Sequence, residues 1–370
     1  MLKVWLVSLF LQAYMSSQPL RLLPLAINDW ATGHELPDIV AGRLFSGHIL
    51  LKVENRGNAP LSGVALHVQG SNILQATTGV PVGLQPGQRS SLHAPLAQIA
   101  GTSVVAAQCP LQVKLHIEVN GTVAAKREHR LGCRAIHDRF SFVYIDVDGS
   151  PQLAAAKFPS SCPEQGCAVL LSTHGMDVTA QRQADCYRPL PGAWVLAPHG
   201  RGTHGFNWQG PGHWSALRAL DSLAERAGLW QTQTEADAET ANDVVRVANP
   251  PRVIFAGHSN GGFGAWFFGT HYPDMALGVA PLSGMATIGT TQVPRPARLP
   301  DRLWELVDSS VEEYRGDGLA SNLIGASHRT QLHLCTCSPH QSYTYKPVLC
   351  SISPLPDLVH RSAATPKDMF

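Results

Sequence analysis

One stretch of the sequence, RVIFAGHSNGG at residues 252–262, carries the clearest signal of how this chain folds. Its apolar residues 253–256 predict a short buried strand. A Gly-x-Ser-x-Gly pattern centred on Ser259 follows, and apolar residues then recur at helical spacing from Phe263 to Phe267. A strand, a tight turn and a helix in this order are the context in which the pattern marks a nucleophilic serine.

The turn itself predicts an exposed serine. Gly257 and Gly261 remove the Cβ atoms that would collide with the strand and the helix, so the chain can hold Ser259 in a strained conformation. The helix N-terminus and the backbone N–H of Asn260 would then stabilise an oxyanion beside the serine. We therefore predict Ser259 as the nucleophile and Asn260 as an oxyanion donor. The alternative is a glycine-rich turn with an idle serine.

Two earlier stretches predict the rest of the pocket. The apolar strand 168–172 is followed by Thr173-His174-Gly175, where Gly175 allows close backbone approach and supplies a second oxyanion donor. The stretch 198–208 follows the next apolar strand, at the edge where α/β sheets bind ligands. The residues predicted to shape the substrate pocket are His174, His199 and Trp208. No carboxylate or Cys joins His199 and His204 of the second stretch at ligand spacing, so a structural or substrate-contact role is favoured for both, and no metal or other cofactor is predicted.

The hydrophobic period changes along the chain. Between residues 43 and 133, runs at 48–53, 64–68 and 112–119 alternate apolar and polar residues and are separated by turn clusters. After residue 136, unbroken apolar strands alternate with helical runs, one of them predicted to end at Gly228. The predicted fold class is α/β, a mostly parallel sheet with helices on both faces, preceded by a small antiparallel β-sandwich.

Composition excludes several classes of function. The 370 residues suffice for about two domains. The 28 Lys and Arg nearly balance the 27 Asp and Glu, giving a net charge of +1, so no strong field attracts nucleic acid. No apolar run reaches the roughly 20 residues that a membrane-spanning helix needs. The partner predicted is a small ester or peptide substrate.

The N-terminus and the cysteines favour secretion. Residues 1–17 have the charge, apolar run and small polar residues of a signal peptide, with a buried or frayed segment as the alternative. Eight cysteines suit an oxidising compartment, and Cys162 and Cys167 bracket a turn that a disulfide could close. Asn120-Gly121-Thr122 is both a glycosylation sequon and a hairpin-turn signal. These features predict a secreted glycoprotein.

Several motifs together resemble the prolyl oligopeptidase family of serine hydrolases. The resemblance is carried by residues 172–175, 184–198, 205–208 and 257–262. It covers about residues 138–325 and implies an α/β-hydrolase domain there, with a Ser, Asp, His triad in that chain order. Peptidase or esterase activity is the chemistry that it implies. Residues 25–135 are then predicted to form a separate Ig-like β-sandwich.

The end of the sequence departs from the family pattern. After Gly325 the expected apolar strand ending in Gly and Asp does not follow, and residues 326–370 are rich in Ser, Thr and Pro and lack Gly and Glu. This segment is predicted to be a diverged tail whose composition favours disorder. Asp357 and His360 are the predicted remnants of the acid and base, although they are closer in sequence than the family spacing implies.

The same tail offers other candidate residues. Further candidate bases without assigned acids are His328, His333 and His340. Residues 333–340 also contain two cysteines, but Cys-x-Cys lacks the usual zinc spacing, and disulfides or free thiols explain it more simply.

Three hypotheses of different classes follow from these residues. The first is a secreted serine hydrolase in which Ser259 attacks an ester or peptide carbonyl. The second is a catalytically inactive hydrolase scaffold acting as a secreted binding or adhesion protein. The third is an adhesion or carbohydrate-binding module carried by residues 43–133. A carboxylate and a His that converge on Ser259 would favour the first hypothesis over the second. Retention of binding by the isolated fragment would favour the third.

Overall fold

A computed structural model describes residues 21–22, 36–235, 246–248, 251–285, 299–310 and 319–323. The predicted signal peptide, the tail and its candidate residues Asp357, His360, His328, His333 and His340 lie outside these described residues. The strands are β1 Arg21–Leu22, β2 Ile39–Val40, β3 Arg43–Leu44, β4 His48–Glu54, β5 Leu61–Val68, β6 Thr77–Thr78, β7 Val82–Leu84, β8 Arg89–Pro95, β9 Leu111–Val119, β10 Thr122–Leu131, β11 Cys133–Arg134, β12 Phe140–Ile145, β13 Pro151–Lys157, β14 Ala168–Thr173, β15 Ala193–Pro198, β16 Val253–His258 and β17 Ala276–Leu282. The helices are α1 Ala180–Asp185, α2 Gly210–Glu235, α3 Asn260–His271 and α4 Asp301–Ser310.

The second half of the chain forms a six-stranded sheet with the order β12-β13-β15-β14-β16-β17. β13 pairs antiparallel with both β12 and β15, whereas β15, β14, β16 and β17 run parallel to one another. Every residue of β15 is buried, as its unbroken apolar sequence predicts. The chain is therefore a mixed α/β protein, and the predicted parallel strands are confirmed.

Alternate residues of β15 show how the helices cover this sheet. Trp194 and Leu196 pack in one core with residues of α2 and α3. Ala197, which points to the opposite face, packs against Ala180 and Ala184 of α1. Helices therefore lie on both faces of the sheet, and the carboxyl ends of the four parallel strands meet at one edge.

Helix α2 is longer than the sequence analysis predicts. Its predicted end at Gly228 is wrong, because the helix continues to Glu235. Trp230 lies beyond the glycine and is buried in the main core, where its ring is 5.4 Å from that of Phe158. Burial of this large ring offsets the roughly 1 kcal/mol that a glycine costs inside a helix.

The first half of the chain contains three smaller sheets, with the orders β1-β4-β8, β10-β9-β5-β6 and β11-β2-β3. The predicted strands 48–53, 64–68 and 112–119 are confirmed as β4, β5 and β9. Residues of all three sheets contribute to one aliphatic core. The assignment of residues 25–135 to an Ig-like sandwich domain stays a prediction.

One phenylalanine ties the two halves together. Phe45 precedes β4 but packs in the aromatic core of the six-stranded sheet. Its ring lies 4.7 Å from that of Phe140 and 6.0 Å from that of Trp194. The side chain is 2% exposed. The first half of the chain therefore completes the core of the second half.

Two disulfides are formed among the described residues. Cys162 and Cys167 pair, which confirms that they close the loop between them. Cys109 pairs with Cys133, and this bond ties the segment before β9 to β11. The described helices include none with the length and apolar character needed to cross a membrane.

Candidate active site

Ser259 occupies the tight turn between β16 and α3. Its backbone has φ 57° and ψ −120°, a strained conformation for a residue with a side chain. The Ser259 N–H donates to the carbonyl of Leu282 at 2.8 Å, and the Ser259 carbonyl accepts from the N–H of Gly262 at 2.8 Å. The serine side chain is exposed to solvent. The turn thus fixes an exposed hydroxyl at the carboxyl edge of the sheet.

The glycines on either side of the serine are required by close contacts. A Cβ atom on Gly257 would lie 2.1 Å from the carbonyl oxygen of Gly261. A Cβ atom on Gly261 would lie 1.9 Å from the carbonyl oxygen of Thr173, at the end of β14. The elbow therefore packs directly against the neighbouring strand, and only glycine fits at either position.

The loop after β14 lies beside the nucleophile. A Cβ atom built on Gly175 would be 3.5 Å from the Cβ of Ser259 and 3.2 Å from the carbonyl oxygen of His258. Asn260 is the first residue of α3, so its backbone N–H lies at the helix N-terminus. The structure thus brings Gly175, Ser259 and Asn260 together, and the roles of the two backbone donors stay a prediction.

His174 and Trp208 lie behind this loop and not at its surface. Both side chains are fully buried. The His174 Nδ1 lies 2.9 Å from the carbonyl oxygen of Gly175, and its Nε2 lies 3.1 Å from that of His199. The Trp208 indole donates to the carbonyl of His174 at 3.0 Å. Burial lowers the pKa of His174, while the contacts with the carbonyls of Gly175 and His199 act in the opposite direction.

His199 stands at the carboxyl end of β15. Burial, together with the nearby His174 and Lys52, lowers its pKa to about 4. Its Nδ1 is buried and has no hydrogen-bond partner among the described residues. Nowhere in the described ranges do three His, Cys, Asp or Glu side chains gather as metal ligands would.

The 199–208 loop is held to the site by two further contacts. The Arg201 guanidinium donates to the buried carboxylate of Asp146 at 2.6 Å and to Asp148 at 2.8 Å. The side-chain amide of Asn260 donates to the carbonyl of His204 at 3.0 Å. The loop is thereby fixed to the β12–β13 turn and to the residue that follows the nucleophile.

Next to the contact between Asn260 and His204 lies a pair of residues, His204 and Asp177, that the sequence alone does not predict. The His204 Nδ1 lies 3.6 Å from the carboxylate of Asp177, and both side chains are exposed. The Asp177 N–H donates to the carbonyl of Thr203 at 2.9 Å, which joins the two loops. No motif links the two residues in sequence, because they follow different strands and meet only at the sheet edge.

Comparisons with known proteins give partial similarities. No family model matches the chain. An uncharacterized secreted protein of Arthroderma benhamiae is 31% identical over 80 residues, which are 20% of this chain and 8% of that protein. The chain therefore spans less than a tenth of the length of this relative.

Solved structures that are similar to the chain include hydrolases. An S-formylglutathione hydrolase from Staphylococcus aureus matches with a TM-score of 0.32 and 15% identity, over 51% of this chain and 74% of its own. The fluorophosphonate-binding serine hydrolase F of the same organism matches with a TM-score of 0.31 and 14% identity, over 51% and 74%. A ferulic acid esterase has a TM-score of 0.30 and 19% identity, over 49% and 70%.

Proposed function

We propose that this chain is a serine hydrolase of the α/β-hydrolase fold, with a prolyl oligopeptidase-like domain that cleaves small esters or peptides. The observation that carries the proposal is the strained, exposed Ser259 between a buried strand and a helix. The glycines two positions before and two positions after it pack so closely that no other residue fits there. A turn without function gains nothing from such strain. The order of strands in the six-stranded sheet, with the elbow after β16, supports the fold assignment.

The reaction follows from the positions of the backbone groups. The Ser259 Oγ would attack the substrate carbonyl while a base takes its proton, and the N–H groups of Asn260 and Gly175 would hold the resulting oxyanion. The leaving alcohol or amine receives that proton and departs, which leaves an acyl-serine. Water then attacks the acyl-serine while the same base takes its proton, and the base passes this proton to the departing Ser259 Oγ as the acid is released.

Two pairs are candidates for the base and its orienting acid. His360 and Asp357 follow the serine in the chain order that the family resemblance implies. His204 and Asp177 lie 3.6 Å apart, and the backbone of His204 is bonded to the side chain of Asn260. Replacing each histidine separately distinguishes the pairs.

Labelling with a fluorophosphonate probe, which reacts with activated serines, tests the proposal on the full chain. We expect stoichiometric labelling that Ser259→Ala abolishes and that Ser309→Ala, at an exposed serine on α4, leaves unchanged. Of His204→Asn and His360→Asn, the variant that slows labelling by roughly a hundredfold or more identifies the base. A folded sample that is not labelled, or labelling that survives Ser259→Ala, would contradict the proposal and favour an inactive scaffold.

We also propose that the protein is secreted and glycosylated. The two disulfides support an oxidising compartment. Asn120 is exposed at the turn between β9 and β10, with φ 50°, so an attached glycan would extend into solvent. A mass decrease after treatment of the secreted protein with an N-glycosidase, absent in Asn120→Gln, is the expected result.

A further inference from the structure

We propose that three exposed apolar side chains, on loops at the edge of the sheet that carries Ser259, bind the acyl group of the substrate, which is therefore an ester with an apolar acyl chain. The three residues, here called the apolar rim, are Met176, Phe206 and Met285. Their side chains are 55%, 55% and 52% exposed. This inference rests on the proposed hydrolase activity and names the substrate class.

The rim residues come from three different loops, and each directly follows a glycine; two of these glycines, Gly175 and Gly284, pack against the elbow. Gly175, before Met176, lies against Ser259. Gly284, before Met285, touches the start of α3, because a Cβ on Gly262 would be 2.7 Å from the Gly284 Cα. Close backbone packing therefore anchors two of the rim residues beside the nucleophile.

Phe206 is anchored in a different way. The backbone φ angles of Phe206 and the next two residues are 50°, 53° and 58°, so three consecutive non-glycine residues adopt the left-handed conformation. Gly205 beneath it packs on the ring of Trp208, where a Cβ would lie 2.9 Å from the indole. The loop is also bonded to Asn260 through the carbonyl of His204. An exposed phenyl group in a strained, firmly anchored loop is poorly explained by stability alone.

The chemistry of the rim fits an apolar acyl group. Two flexible thioethers and one ring offer polarizable surface that adapts to aliphatic or aromatic chains. The polar groups of the same edge, Asp177 and His204, lie on the two loops that also carry Met176 and Phe206. An apolar acyl chain that covers the rim would bury its apolar surface away from water. The favourable free energy of this burial increases with each methylene of the chain.

Single exposed apolar residues are common, so the proposal depends on all three lying on loops at the same edge of the sheet. Val105 provides a matched control, because it is 57% exposed but lies in the first half of the chain, before β9. If solvent exposure of an apolar side chain were enough to affect substrate preference, replacing Val105 would have the same effect as replacing Phe206.

The test compares hydrolysis of p-nitrophenyl hexanoate and p-nitrophenyl acetate by the full chain. We expect wild type to prefer the hexanoate by about tenfold or more in kcat/KM. Phe206→Ala and Met176→Ala should each lower this preference by roughly three- to tenfold, and Phe206→Leu should restore most of it. Val105→Ala should leave both rate constants unchanged.

Labelling of Ser259 by a small fluorophosphonate separates the possible failures. A labelled wild type that shows no preference for the hexanoate, or folded and labelled rim variants that keep the full preference, would overturn the apolar rim while the hydrolase proposal stands. A folded wild type that is not labelled would overturn both. Retained urea-unfolding midpoints show that a lost preference does not come from misfolding.

Discussion

The two halves of the chain differ in where their backbone is strained. Among described non-glycine residues with positive φ, two lie in the first half, Ala41 and Asn120. Seven lie in the second half: Asp177, Arg201, Phe206, Asn207, Trp208, Ser259 and Ser283. These seven all follow the carboxyl ends of β14, β15, β16 and β17. Within the described part of the chain, backbone strain is thus concentrated at one edge of the six-stranded sheet, where we place the chemistry.

The hydrophobic cores of the two halves also differ, in their content of aromatic rings. As far as the structure describes it, the buried core of the first half is aliphatic and contains no aromatic ring. The core beneath the site contains rings from both halves, with Phe45 among Phe140, Phe158 and Trp194. A regular aliphatic scaffold thus supports an aromatic core that holds strained loops in place.

The first prediction contrasts two glycines. Gly261→Ala places a Cβ 1.9 Å from the carbonyl oxygen of Thr173, so the elbow and β14 must separate. We expect fluorophosphonate labelling of Ser259 to fall by roughly a thousandfold, and the free energy of unfolding to fall by about 3 kcal/mol. Labelling rates and urea unfolding measure the two effects.

Gly101→Ala is the matched control from the first half. Gly101 has φ 73° and nothing within 4 Å of an added Cβ, so only the turn conformation is disturbed. We expect a loss of about 1 kcal/mol in stability and unchanged labelling. Equal effects of the two substitutions on labelling would show that the close contact at Gly261 has no special role.

The second prediction concerns the link between the halves. Phe45→Ala removes a ring that is 2% exposed and lies between Phe140 and Trp194, so a cavity is left in the core. We expect a loss of about 3–5 kcal/mol in the free energy of unfolding, measured by urea denaturation. Phe206→Ala, which deletes the same ring from the surface, should change stability by less than about 0.5 kcal/mol. Similar losses in both variants would contradict a shared core.

Local patterns explain what the sequence could predict. The elbow was predictable because its glycine spacing, the strand before it and the helix after it all lie within 252–271. Strands β4, β5, β9, β14 and β15 were predictable from their hydrophobic periods. These features depend on neighbours in sequence.

Contacts between residues that are distant in the chain explain the features that the sequence could not predict. Helix α2 continues past Gly228 because Trp230 finds a place in the core, which no local propensity shows. The buried positions of His174 and Trp208, and the approach of His204 to Asp177, arise where loops from different strands meet. Such loops have no periodic signal, so their geometry becomes visible only in the folded chain.

The third prediction is a pH dependence that couples the two halves. Burial lowers the pKa of His48 to about 4, with His93 and Arg226 of α2 acting in the same direction. Burial also lowers the pKa of His199 to about 4, with His174 and Lys52 of β4 adding to the effect. Each histidine therefore faces a positive charge that belongs to the other half of the molecule.

The sign of the effect follows from these directions. An unfolded histidine takes up its proton near pH 6.5, whereas the folded forms stay neutral down to about pH 4. The unfolded state thus binds more protons between these values, so stability should fall as pH drops from about 6.5 to about 4. His48→Gln and His199→Gln should each reduce the proton uptake on unfolding by up to one, measured from urea unfolding across this range. Leu50→Ala, a buried site without a titrating group, should lose stability yet keep the wild-type slope. If both histidine variants also kept the wild-type dependence of unfolding free energy on pH, acid would destabilise the protein at sites other than the contact between the halves.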